Sequence, residues 1–291
     1  MLTKDLIANI RRIEIRTRKI VDELTAGAYH SVFKGKGMEF EEVREYLPGD
    51  DVRAIDWNVT ARMGHPYIKK FVEERELTVL LAVDISASGD FGSTGRSKNE
   101  QAAELAALLA FSAIRNNDRV GLLLFSSDCE LYVPPRKGRR HVLRLVRELL
   151  AHDRRESGTD IGAALETVMR VMPRRAVVFL ISDMLDDAFE QPLRVAGRKH
   201  DLVSVRILDR RELMLPKTTF LCVEDAENGD IGVVNGRSVK VRNAFNVEAS
   251  GLRRRQSDMF RRGGQDLIDI ECGQDYVKPL MNFFRQREKR R

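Results

Sequence analysis

The sequence predicts an α/β fold, a mostly parallel central sheet with helices on both faces, preceded by an N-terminal helix and a charged cap segment. Three observations predict it. Short, almost continuously apolar runs recur at residues 77–83, 120–125, 176–181 and 202–208, as in strands buried on both faces of a parallel sheet. Helical patterns alternate with these runs, which is the order of a sheet covered by crossover helices. The first run also ends abruptly in Asp84, with Ser86 and Ser88 at alternate positions after it. In open α/β sheets ligands sit beyond the carboxyl ends of the strands. A carboxylate with two hydroxyls there suits a hard cation such as Mg²⁺; a capped strand end with ordinary turn residues is the plainer alternative.

Composition sets the class. Of 291 residues, 43% are hydrophobic and 32% charged, which is enough apolar material for a packed core. No apolar run approaches the ~20 residues a membrane helix needs, and residues 1–5 do not open a signal peptide. The three cysteines, Cys129, Cys222 and Cys272, lack metal-finger spacing and read as small buried residues in a reducing cytoplasm. Net charge is +6, concentrated at Arg253–Arg255, Arg261, Arg262, residues 285–291 and residues 136–155. Such clusters raise a nucleic-acid module through the basic C-terminus as one reading. No aromatic residues interleave to stack bases, so solvated helix faces are favoured and nucleic acid is an unfavoured partner.

In chain order, residues 3–25 carry apolar positions at helical spacing, interrupted at Thr17, with Gly27 as a stop. Residues 35–62 follow with densely alternating charge around Tyr46, Ile55 and the single tryptophan, Trp57. Pro48-Gly49-Asp50-Asp51 is a turn signature. Arg44, Arg53 and Arg62 are placed to form forked bonds with carboxylates such as Glu39, Asp51 and Asp56. The favoured reading is a salt-bridged cap lying against the sheet with Trp57 partly buried; a partner-binding face is the alternative. Domain boundaries accordingly fall at 1–75 for helix and cap and 76–291 for the sheet domain with its C-terminal helix.

After the first strand, Ser97 and Glu100 form a capping box that starts an Ala/Leu-rich helix reaching residue 116. Residues 130–133 predict an edge strand, and 139–151 an amphipathic helix. Ser157-Gly158-Thr159-Asp160 precedes a helix over 161–171, ended by Pro173. The third buried run passes into Ser182-Asp183, and a helix over 187–199 leads to the fourth. Beyond Pro216, residues 220–223, 231–234 and 238–241 read as short strands, with Asn235-Gly236 as a tight hairpin between the last two. A basic helix over 243–262, a strand over 267–270 and a helix from residue 276 complete the chain.

Asp84/Ser86/Ser88, Thr159 and Asp183 thus fall at one edge of the sheet. This pattern resembles the metal-ion-dependent adhesion site (MIDAS) of von Willebrand factor A domains, whose Asp-x-Ser-x-Ser, Thr and Asp elements occur in this order. The earlier segment strengthens the likeness: Glu39-Phe40, Arg44-x-Tyr46, Pro48-Gly49-Asp50-Asp51, Arg53-x-Ile55-Asp56-Trp57 and Thr60-Ala61-Arg62 resemble the bacterial family called domain of unknown function 58. The resemblance implies a von Willebrand factor A-like domain that binds Mg²⁺, or Mn²⁺ or Ca²⁺ in its place. It implies Asp84, Ser86, Ser88 and Thr159 as ligands, some through water, with Asp183 outer or alternating. It further implies a cytoplasmic, chaperone-like accessory to a MoxR-type AAA+ ATPase, acting with a client protein that it does not identify. Many family members carry membrane helices ahead of the motif; none is apparent here.

The competing class is an enzyme. Strand-terminal aspartates also serve as nucleophiles in Mg²⁺-dependent phosphotransfer, so Asp84 is a candidate. Phosphotransferases of the haloacid dehalogenase type need a second acid two residues on, where this chain has Ser86. There is no Gly-x-Ser-x-Gly elbow and no Walker A loop, and the five histidines are scattered without ligand spacing. The expectation is therefore a non-enzymatic binding protein.

Overall fold

Strand β3 (Thr78–Asp84) is buried along almost its whole length because neighbours and helices enclose it on every side. It lies within a six-stranded sheet together with β4 (Arg119–Phe125), β5 (Cys129–Arg136), β6 (Val177–Ser182), β7 (Asp201–Leu208) and β10 (Asp266–Glu271), in the order β10-β7-β6-β3-β4-β5. All neighbours are parallel except β5, which closes one edge antiparallel to β4. In this computed structural model residues 4–25, 39–72, 76–155, 158–186, 188–224 and 229–290 are described. The architecture is the mostly parallel α/β sheet with helices on both faces that the sequence predicts.

Alternation of side chains along each strand divides the core. Leu80 and Ala82 of β3, Leu123 and Phe125 of β4, and Val178 and Leu180 of β6 share one face. There they pack with α5 (Ile161–Val171), α6 (Glu190–Lys199) and Phe260 of α8 (Val239–Arg262). The opposite face meets α3 (Lys98–Arg115), an Ala/Leu helix buried along most of its length and started by the predicted Ser97/Glu100 capping box. Helix α4 (Arg139–Ala151) packs beside it, and α9 (Val277–Lys289) lies on β10, burying Leu280 and Phe284.

The chain divides into two compact units, Met1–Val32 with Thr78–Arg291, and Phe33–Leu77. The expected division, 1–75 and 76–291, joins the N-terminal helix to the charged segment. Helix α1 (Lys4–Thr25) does not group with the charged segment but packs on α3 and α4 in the sheet unit. Its stripe is continuous through Thr17 because the hydroxyl donates back to Ile13 O at 2.7 Å, which lets the residue be buried beside Val21. Gly27 lies outside the described residues.

In the smaller unit, β1 (Glu39–Glu45) and β2 (Tyr67–Val72) form an antiparallel pair that the sequence reading did not anticipate. The 48–51 turn is present, with Asp50 N donating to Leu47 O at 3.0 Å. Its ion pairing differs from expectation: Arg44 forks onto Asp50, at 2.9 and 2.8 Å. Asp51 and Asp56 serve mainly as helix caps, over the 3₁₀ turn Val52–Ala54 and over α2 (Trp57–Met63). Trp57, expected to be partly buried, is 67% exposed, because it opens a two-turn helix whose described side chains are all at least partly exposed.

Three further expectations change. Residues 238–241 are not a strand: β8 (Leu221–Glu224) pairs with β9 (Ile231–Val234), and Ser238 caps α8, its hydroxyl accepting from Val241 N at 3.4 Å. The cap outcompetes the hairpin signal of Asn235-Gly236. Helix α6 begins at Glu190 rather than at 187. Cys222 is exposed, and only Cys272 is fully buried.

Replacing Trp57 with Ala should shift the denaturation midpoint by an amount worth no more than about 0.5 kcal/mol, the usual size for an exposed position. A loss of several kcal/mol in urea titration would show that the ring is enclosed after all.

Candidate metal centre

Four of the five predicted residues meet through a continuous set of hydrogen bonds. Parallel pairing aligns Val83 of β3 with Ile181 of β6, so the two strands finish side by side at the point where the chain order of the sheet reverses. Asp84 is buried there. Its Oδ1 accepts from Ser86 N at 2.8 Å, and its Oδ2 accepts from Ser182 Oγ at 2.7 Å. The loop after β3 then turns back as a 3₁₀ segment, Ala87–Asp90, bringing Ser86 Oγ to 3.1 Å from Ser88 Oγ. Ser88 Oγ donates to Asp183 Oδ2 at 2.8 Å.

That loop is held tightly. Asn99 on α3 donates to Ser86 O at 3.4 Å and to Asp90 Oδ1 at 2.9 Å. A Cβ added to Gly89 would lie 2.1 Å from the Asn99 amide oxygen, so only glycine fits without displacing this clamp. Across the site, Asp183 Oδ1 accepts from Leu185 N at 3.1 Å, while Ser182 Oγ accepts from Met184 N at 2.9 Å. Met184 takes φ +62, uncommon outside glycine, and its carbonyl accepts from Gln256 of α8 at 2.6 Å.

Thr159, half-buried, lies in the loop before α5. Asp160 N donates to Ser126 O at the end of β4, at 2.9 Å. Ile161 N donates to Asp186 Oδ2 at 2.8 Å, and Asp160 itself caps α5. The Thr159 loop is thereby tied to the same sheet edge and to the segment that follows Asp183.

Two participants escaped the sequence reading. Lys98, the first residue of α3, has a side chain 3% exposed, and its Nζ donates to Asp183 Oδ2 at 2.6 Å. It is also ion-paired with Glu212 on the short helix α7 (Arg210–Leu213). The available signal was a lysine at the positive end of a helix, where a cation is disfavoured. Ser182 was visible only as the neighbour of Asp183.

Electrostatics follow from burial. Loss of water pushes the Asp84 carboxyl up to about 6, reinforced by the Asp183 charge and opposed by its bonds from Ser182 and Ser86. Burial works against the Lys98 ammonium, yet the charges of Asp183 and Glu212 outweigh it and raise its pKa. Glu212 is also raised, by burial first, against the pull of Lys98. Among the described residues no group of three or more His, Cys, Asp or Glu side chains is disposed to hold a metal. A cation at this edge would depend on hydroxyls joined to two carboxylates. That donor set fits a hard divalent ion that keeps part of its water, and the penalty on Asp84 gives such an ion something to relieve.

The family described as protein of unknown function DUF58 matches residues 42–255. The uncharacterized protein Rv1480 of Mycobacterium tuberculosis is 31% identical over 289 residues, covering 98% of this chain and 90% of that protein. The uncharacterized protein YeaD of Bacillus subtilis is 28% identical over 111 residues, 38% of this chain and 26% of its own. Among solved structures, BatB from Bacteroides thetaiotaomicron aligns with a TM-score of 0.46 at 16% identity, over 73% of this chain and 99% of that one. The VWA domain of SpRpn10 aligns with a TM-score of 0.40 at 9% identity, over 72% and 95%.

The raised carboxyl of Asp84 carries a pH signature. Its folded pKa lies above the value of about 4 in the unfolded chain, so the folded state holds the extra proton between them. In chelator-treated protein this contribution is present below pH 4 and is lost as pH rises toward about 6, by about 3 kcal/mol. Denaturant titrations across that window should show the decline in wild type and its absence in Asp84→Asn. Equal slopes for the two proteins would refute the assignment.

Proposed function

The chain belongs to the DUF58 family, and on that premise we propose that it is a non-enzymatic, divalent-metal-dependent protein-binding accessory that works with a MoxR-type AAA+ ATPase and a client protein. The observation that carries the reading is the linked arrangement of Asp84, Ser86, Ser88 and Asp183, with the Thr159 loop tied to the same edge. Asp84, Ser86, Ser88 and Thr159 would hold Mg²⁺, or Mn²⁺ or Ca²⁺, some through water, with Asp183 outer or alternating. When bound, the ion supplies a positive centre that neutral hydroxyls leave incompletely compensated, suited to a carboxylate from a partner protein.

The chain's own residues favour binding over turnover. Both oxygens of Asp84 already accept hydrogen bonds, from Ser86 N and Ser182 Oγ. Phosphotransfer of the haloacid dehalogenase type needs a second acid two residues after the nucleophilic aspartate, and that place here holds the hydroxyl of Ser86. Phe91 and Leu185, exposed just beyond the two loops, offer an apolar rim of the kind that surrounds a desolvated contact. Among the described residues no helix is long and apolar enough to cross a membrane.

Pull-down of the ATPase from the same organism tests the reading. Wild type should retain it in Mg²⁺, while EDTA or Asp84→Ala should release it, because coordination is lost along with the ion. Arg285 and Lys289 are exposed on α9, so the Arg285→Glu/Lys289→Glu double variant tests a basic-surface contact without removing the buried Leu280 and Phe284. Binding lost in that variant and indifferent to EDTA would overturn the proposal.

A further inference from the structure

The buried ammonium beside the hydroxyl cluster has a role that the metal-binding reading does not by itself supply. We propose that Lys98 is a resident counter-cation of this centre: it holds Asp183 when no divalent ion is bound, and a divalent ion must compete with it for that carboxylate. The inference rests on the metal reading above and adds the residue that sets its affinity.

Four observations carry it. Asp183 Oδ2 accepts both the Lys98 ammonium, at 2.6 Å, and the Ser88 hydroxyl, at 2.8 Å. Ser88 in turn lies 3.1 Å from Ser86 Oγ, so the ammonium stands one carboxylate away from the hydroxyl ligands. Second, the position is unfavourable for a lysine in isolation. It opens α3, at the positive end of the helix dipole, with its side chain 3% exposed, and burying a lone ammonium carries a large desolvation penalty. Its two carboxylate partners offset that cost.

Third, Lys98 has a second carboxylate, Glu212, on a different element. It can release Asp183 without becoming an unpaired buried charge. Glu212 is itself fixed, since its Oε2 accepts from Asp209 N at 3.1 Å within the α7 capping box. Fourth, Asp84, Asp183 and Glu212 outnumber the one ammonium by two negative charges, the charge that one divalent cation carries. Asp209, buried beside them, is answered separately by Ser93 N and Oγ, at 2.8 and 2.7 Å, and by Arg211 N at 2.7 Å. The ammonium therefore neutralises Asp183 at the expense of attraction for the ion, and Glu212 serves as the place to which it withdraws.

Calorimetric titration of the full chain with MgCl₂, paired with thermal unfolding in EDTA and in Mg²⁺, tests this. Lys98→Met keeps the aliphatic stem and removes the charge. It should bind Mg²⁺ about tenfold more tightly than wild type, melt lower in EDTA, and show a larger rise in Tm on adding Mg²⁺. Glu212→Gln removes the alternative partner and should weaken Mg²⁺ binding about threefold. If Lys98→Met does not fold, the Glu212→Gln arm decides, and an unchanged Kd there overturns the inference. Unchanged or weaker binding by a folded Lys98→Met, with wild type binding and Asp84→Ala not binding, would make Lys98 structural and leave the metal reading standing. Binding by neither wild type nor Lys98→Met would overturn both.

Discussion

A carboxylate at the end of a fully buried strand must be answered by donors or by positive charge, and the organisation of this protein's sheet edge follows from how Asp84 is answered. Its two oxygens take one bond from the loop that follows and one from the neighbouring strand. The first makes the 85–90 loop curl over the strand end. The second locks β3 to β6, the two strands on either side of the point where chain order reverses. Neither bond removes the charge. Asp183 stands close enough to raise Asp84 further, so two anions share a site from which water is largely excluded. In such a place neutral partners reduce the penalty without cancelling it.

Much of the surrounding polar structure handles that excess. Lys98 is drawn inward to Asp183 and Glu212, although its place on the helix disfavours a cation. Farther along the edge, Arg206 is wholly buried on β7. It forks onto Asp269 at 2.8 and 3.1 Å and donates to Gln256 at 2.7 Å. Gln256 then donates to the carbonyl of Met184, the residue after Asp183. One unbroken set of hydrogen bonds thus runs from β10 through β7 and α8 to the candidate metal loop. Each member is paired, which is what a buried network requires to stabilise a fold.

The same arrangement gives this edge its oxygen-rich surface. Two carboxylates with three hydroxyl-bearing residues nearby form a hard oxygen surface, and the loops that carry it are pinned by backbone and side-chain bonds. A preformed, oxygen-lined site at a strand edge with Phe91 and Leu185 exposed beside it has the ingredients of a recognition surface: charge at the centre and apolar area around it.

The sequence by itself determined the layered α/β class, the position of every strand in the main sheet, the helix starts at Ser97 and Asp160, and the convergence of Asp84, Ser86, Ser88 and Asp183. Each of these is written locally, in an apolar period, a capping side chain or a polar residue at the close of a buried run, and parallel pairing carries such run ends to one edge. The fate of residues 238–241 was decided by competition, where a helix cap prevailed over a hairpin signal of similar strength. The exposure of Trp57 and the antiparallel pairing of 39–45 with 67–72 were not legible, since charged, irregular segments carry no period that says which face is covered. Lys98, Glu212, Ser182 and the Arg206–Gln256 link also waited on the tertiary structure. Along the chain Lys98 stands 85 residues from Asp183, Ser182 98 from Asp84 and Arg206 63 from Asp269, and a side chain's distant partner depends on which strand ends stand side by side, a relation no local pattern encodes.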